Sequence, residues 1–203
     1  MPTGRLSRMP AERRRHLVEV ATAEFSSAGY ESASLNRIIE QCGMSKSSFY
    51  YVLSSKAQLY EFVVDELLAD VKEIFPVVAP GEFSGDQFWD QLQGYYAAVV
   101  RVLEREPRFL LLGRMFYLPA PEAAAVGGVL DAVRDWVRDV LRVGRGCGAV
   151  RTDLPESLQG ELVFRILQVF DQWTVHHYDD ITAAARTDLA DAQFATIRRT
   201  LAP

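Results

Sequence analysis

The chain has 203 residues, 49% hydrophobic and 24% charged, the balance of a globular protein with a sizeable core and not of a disordered one. Its apolar runs, such as "FLLLG" and "YYAAVV", are far too short to span a membrane, and the arginines of "MPTGRLSRMPAERRRHL" precede no apolar stretch, so neither a membrane protein nor a secretory leader is expected. The net charge of −5 hides an asymmetry: residues 1–56 hold eight Lys and Arg against five Glu, a net of +3, whereas the remainder carries −8.

Apolar residues recur at helical spacing along nearly the whole chain, and no segment alternates as a strand would. Helix 1 is predicted from about Ala11 to Ser27, with Leu17, Ala21, Phe25 and Ala28 on one face, ended by Gly29-Tyr30. Ser34 is placed to cap helix 2, whose buried side is Leu35, Ile38, Ile39 and Cys42. Gly43 breaks the chain, Ser45 caps a short helix 3, and Ser55 caps a long helix 4 to about Phe75, stopped by Pro76 and Pro80. Longer helices follow at about 84–105, 107–117, 122–144, 155–178 and 188–201. The expectation is an all-α chain of about nine helices: a three-helix head over residues 1–54 and a helical bundle over 55–203.

Helix 2, the turn at "CGM" and helix 3 have the spacing of a helix-turn-helix. The glycine permits positive φ, and Met44 can plug the angle between the helices. Helix 3 must then present small polar donors to a DNA groove. Ser45, Lys46, Ser47 and Ser48 supply them, while Tyr50 and Tyr51 add hydroxyls that can reach phosphate or a base edge. Phe49 and Leu53 should face inward. On spacing alone, a plain helical hairpin with a solvated first turn remains the alternative.

The stretch "ATAEFSSAGYESASLNRIIEQCGMSKSSFYYVLSSKAQLY" narrows this. Phe25, Gly29-Tyr30, Ser34, Ile38, Gly43, Ser45, Phe49-Tyr50 and Ser55-Lys56 before Leu59 fall, in order and at fixed spacing, as in the DNA-binding head of the tetracycline-repressor (TetR) family of bacterial transcriptional regulators, which residues 11–60 resemble. The resemblance implies phosphate contacts from Ser34, Tyr50 and Lys56, and base-edge contacts from Asn36, Lys46, Ser48 and Tyr51. Arg37 is added as a phosphate contact on its position alone. Three residues depart from the pattern: Ile39 replaces a small residue where helices 2 and 3 meet, Ser47 stands at a common glycine position, and Val52 replaces a phosphate-binding His or Tyr.

In the body, helix 8 is apolar around most of its girth, and only Glu161, Arg165, Gln168 and Gln172 form a polar strip. It is either a buried central helix or half of a dimer face. The resemblance favours a homodimer through the last two helices, with Leu162, Val169, Trp173, Phe194, Ile197 and Leu201 as its candidates. It also implies a small-molecule pocket within helices 4 to 8. The candidates there are Phe88, Tyr96, Phe109, Phe116, Trp136, Phe164 and Asp171, the last meeting either a cationic ligand or an internal partner.

Other chemistry is sparse. His176 and Asp180 lie one turn apart but read more simply as a polar helix end than as metal ligands. The Asp and Arg residues of "DAVRDWVRDVLR" pair at i,i+3 on a solvated face. Cys42 and Cys147 lack metal-ligand spacing and suit a reducing cytoplasm, and no nucleophile motif or paired Glu-x-x-His is present, so neither an enzyme nor a cofactor is expected. The reading is a cytoplasmic regulator that binds a palindromic duplex operator and is released by an effector. An activator, or a body that docks a protein, is the alternative.

Overall fold

The computed structural model describes residues 6–74, 78–117 and 124–203. Among them every regular element is helical: nine α-helices and three short 3-10 turns. Helices α1 (Ala11–Ser32), α2 (Leu35–Gln41), α3 (Lys46–Val52) and α4 (Lys56–Ile74) come first. They are followed by α5 (Phe88–Arg105), α6 (Pro107–Tyr117), α7 (Ala124–Gly146), α8 (Glu156–His176) and α9 (Ala183–Leu201).

Most ends lie where the punctuation residues put them, and three differ. Helical turns continue past Ser27 to Ser32, but Gly29, at φ 72° and ψ 165°, breaks the helix at the predicted glycine. α5 begins at Phe88 because residues 80–87 wind into two 3-10 turns, the second opened by Gly85 at φ 64°. α9 begins five residues early because Thr182 caps it, its Oγ1 accepting from the Ala185 N–H at 3.2 Å, and the alanines that follow favour helix.

The chain forms two compact units, Met1–Glu73 with Pro107–Gly128 and Ile74–Glu106 with Val129–Pro203. In the first, α6 packs on α1, and the core gathers Leu17, Phe25, Ile38, Phe49, Leu59 and Val63. The Tyr60 ring meets Phe25 edge-on at 5.1 Å, and its buried hydroxyl donates to the Met115 carbonyl at 2.9 Å, tying α4 to α6.

The second unit holds α5, most of α7, α8 and α9 around Phe88, Trp89, Leu141, Val150, Phe194 and Leu201. Two tryptophan N–H groups are satisfied there, that of Trp89 by the Ala149 carbonyl and that of Trp136 by the Val78 carbonyl, each at 2.8 Å. Buried Gln159 receives the Arg145 guanidinium on Oε1 at 2.8 Å and donates to the Arg151 carbonyl at 2.7 Å, closing the loop from α7 to α8. The outer face of α7 carries the pairs Asp131–Arg134, Asp135–Arg138 and Asp139–Arg142, each at i,i+3 and open to solvent.

Candidate nucleic-acid interface and effector cavity

The interface is assembled by three caps. Ser34 caps α2, its Oγ accepting from the Arg37 N–H at 3.3 Å. α2 ends in a Schellman turn: Gly43 takes φ 60°, its N–H bonds Glu40 O at 2.9 Å, and the Met44 N–H bonds Ile39 O at 3.0 Å. Ser45 then caps α3, accepting from the Ser48 N–H at 3.1 Å, with the Ser47 and Ser48 hydroxyls 2.9 and 2.8 Å from its own. Phe49 and Leu53 are buried, so α3 sits on the head by one face and offers the other.

That outer face carries two large, exposed aromatic side chains. Tyr50 is 53% exposed and Tyr51 62%. Lys46 is exposed and, among the described residues, has no hydrogen-bond or ion-pair partner. Asn36, Ser45, Ser47 and Ser48 are exposed as well.

Two of the expected phosphate ligands have internal duties. Lys56 Nζ donates to the carbonyls of Glu31 and Ala33 at 3.0 and 3.1 Å and lies 4.8 Å above the Tyr30 ring, closing the end of α1. Arg37 Nη1 bonds both carboxylate oxygens of Glu24 at 3.1 Å. Glu24 is buried, and its Oε1 also accepts from the Ser34 N–H at 2.8 Å. Cys42, at the end of α2, is half-buried, and burial raises its thiol pKa.

In the second unit a cavity of about 80 Å³ is lined almost entirely by apolar surface, notably from Trp89, Tyr95, Tyr96, Trp136, Leu167 and Phe194. A polar chain borders it. The Tyr96 hydroxyl donates to Gln193 Oε1, and Gln193 Nε2 donates to the Leu167 carbonyl at 3.3 Å and to Asp171 Oδ1 at 3.4 Å. Burial pushes the Tyr96 pKa up, and the charges of Asp171 and Asp191 add to it. The surrounding protein pushes Asp171 up to about 6, against the Gln193 hydrogen bond. Asp171 nevertheless lies on an exposed part of α8, so in the single chain solvent weakens that push.

Residues 17–63, which run from α1 through the helix-turn-helix into α4, match the family model of bacterial regulatory proteins, tetR family. Those residues form the DNA-binding head of the TetR type. Over 152 residues, 71% of this chain and 66% of its relative, just under two thirds, it is 27% identical to the HTH-type transcriptional activator FasR of Mycolicibacterium smegmatis. Its fold resembles that of regulatory protein TetR from Rhodobacter sphaeroides, with a TM-score of 0.63 at 17% identity over 94% of this chain and 100% of that one. NalD, the secondary repressor of the MexAB-OprM multidrug efflux pump in Pseudomonas aeruginosa, superposes with a TM-score of 0.62 at 12% identity over 94% and 96%.

The body residues singled out from sequence are dispersed. Tyr96 and Trp136 line the cavity, and Asp171 stands at its polar border. Phe88 is core, Phe164 is buried beneath the Arg134 guanidinium at 4.2 Å, and Phe109 is half-buried on α6, in the first unit. The Phe116 side chain lies outside the described residues. Of the dimer-face candidates, Val169 and Trp173 are exposed at 63% and 45%, Leu162 is half-buried, and Phe194, Ile197 and Leu201 are buried within their own unit. Sequence reasoning passed over Glu24, although helical spacing sets it beside buried Ala21 and half-buried Ala28. It also passed over Gln193, whose only signal is a position one residue before Phe194.

Proposed function

We propose that the protein is a cytoplasmic, sequence-specific DNA-binding regulator that acts as a homodimer on a palindromic operator and is released by a small, largely apolar effector. The observation that carries this reading is the outer face of α3 and the start of α2. A short helix held by Phe49 and Leu53 turns Lys46, Ser48, Tyr50 and Tyr51 outward, next to exposed Asn36 and Arg37. Side chains of that reach and donor content fit the major groove and its phosphates, Lys46 and Tyr51 toward base edges and Tyr50 toward the backbone. Two such heads related by a two-fold axis would read half-sites roughly 34–36 Å apart. The exposed Val169 and Trp173 of α8 are the unpartnered apolar surface that a second copy would cover.

The cavity supports an apolar effector. At about 80 Å³ it is smaller than the ~150 Å³ that admits benzene, so a larger ligand must part the helices around it. Such a ligand binds the opened conformation more tightly than the closed one, which is what a switch requires. Repression is the proposed sense, as for NalD by its name; activation is the second reading, because FasR is called an activator.

The test is fluorescence anisotropy of the purified protein on genomic fragments that it selects, across a salt series, with Lys46→Ala and Tyr51→Ala alongside. Selective, salt-sensitive binding that the variants weaken is expected. No preference over random duplex would refute the DNA reading. Transcription from the selected fragment with and without the protein then separates repressor from activator.

A further inference from the structure

We infer that Glu24 is a positioning residue for DNA binding: from inside the head it aims Arg37 and holds its charge neutralised until the operator is docked. The inference rests on the DNA-reading function proposed above. Glu24 is only 7% exposed, on the α1 face that packs against α2, where an unpaired carboxylate would be strongly disfavoured. It is fully engaged instead. One oxygen accepts from the backbone N–H of Ser34, the residue that caps α2, and both accept from Arg37 Nη1. One buried anion thus ties the first turn of α2 to α1 and grips the guanidinium by one nitrogen.

Arg37 remains 59% exposed at the start of α2, next to exposed Asn36, and its bonds to Glu24 use Nη1 alone, which leaves Nη2 and Nε for a ligand. A guanidinium clamped this way differs from a free one. Its positive charge is already balanced, so it adds little to the sequence-independent attraction that releases counterions from any duplex. Its remaining donors are oriented, so they reward only a phosphate in the correct place. Glu24 therefore favours the right docking over any docking.

The test is Glu24→Gln. Glutamine keeps an oxygen to accept the Ser34 N–H, so the cap survives and the head folds, while the charge that grips Arg37 is gone. Affinity is measured by anisotropy for a duplex recovered from genomic DNA by the wild-type protein and for a random duplex of the same length, across salt. Freed Arg37 should tighten random-duplex binding, steepen its salt slope by about 0.9, and lower the specific-to-random ratio about tenfold. In an Arg37→Gln background, Glu24→Gln should move neither quantity. An unchanged ratio and slope would overturn the inference. So would a parallel fall in both affinities with the melting temperature, or an effect that persists without Arg37, since both mark a purely structural carboxylate. If the wild-type protein recovers no duplex at all, the DNA-reading function itself fails and takes this inference with it.

Discussion

Replacing Lys56 with alanine separates two roles that one ammonium group can play in this head. Nζ sits 3.0 and 3.1 Å from the carbonyls of Glu31 and Ala33 and 4.8 Å above the Tyr30 ring. A hydrogen bond to a charged donor contributes about 1.5–3 kcal/mol, and a cation over an aromatic face about 0.5–1 kcal/mol at exposed sites. Lys56 is half-buried, and water would re-solvate the carbonyls that it leaves, so the net loss should be near the low end, about 2 kcal/mol. For a chain of this length each kcal/mol lowers the melting temperature by about 2–4 °C, so Lys56→Ala should melt roughly 4–8 °C below the parent. Lys46→Ala is the matched control: with no partner among the described residues, it should melt with the parent yet weaken DNA binding and relax its sequence preference, as loss of a base-edge contact does. Thermal unfolding by circular dichroism and anisotropy across salt read the two effects separately. If Lys56→Ala melted with the parent and reduced the salt slope by about 0.9, Lys56 would be a phosphate ligand and its helix-closing role would be refuted.

Three further outcomes follow from the packing. Alanine at Gly144 would set Cβ 2.5 Å from Val150 Cγ2 and 2.7 Å from Phe88 Cζ, both on buried residues, so overpacking of about 1–3 kcal/mol should exceed the roughly 1 kcal/mol gain in helix propensity, whereas Gly160→Ala, with open space around it, should stabilise; paired denaturant melts decide the signs. Tyr60→Phe leaves the Met115 carbonyl without its buried donor and should cost about 1–2 kcal/mol by the same melts. Burial raises the folded pKa of Asp171, to about 6 at most since solvent reaches the side chain, so the folded chain binds that proton more tightly than the unfolded chain, and the stability this group contributes is lost as pH rises from about 4 through that folded value. Asp171→Asn should therefore raise the melting temperature at pH 7 and leave it nearly unchanged at pH 4; equal shifts at both values would argue against the titration.

Local chemistry made the layout legible. Ser34, Ser45 and Ser55 act as caps through their own side chains, each bonding an N–H three residues on, which is why helices α2 to α4 start where serine punctuation puts them. Pro107 likewise opens α6, and Gly29 and Gly43 adopt the positive φ that their turns require. Apolar spacing alone starts α9 near residue 188, five residues late, whereas Thr182 before three alanines is a readable cap signal. The roles of Lys56 and Glu24 were of another kind. Each is fixed by partners ten to 25 positions away, and no periodicity along α1 or α4 encodes which carbonyl or cation an ionic side chain will meet.

The body shows the same limit at a larger scale. Helical spacing correctly groups Phe194, Ile197 and Leu201 on one face of α9, but it cannot say what that face meets, and in the chain it meets Trp89, Tyr96 and their neighbours. α8 makes the point from the opposite side. With apolar residues around most of its girth, its sequence assigns no face to the interior, yet Val163 and Phe164 are buried while Leu158, Val169 and Trp173 stand exposed. A valine 63% open and a tryptophan 45% open on one helix each forgo about 1–2 kcal/mol of burial. Such a loss is most simply recovered in a partner copy, and this surface, rather than α9, is where the proposed two-fold contact should be sought. Charged substitutions at Val169 and Trp173 should dissociate the dimer in sedimentation without lowering the stability of the monomer, whereas substitution at Phe194 should unfold it.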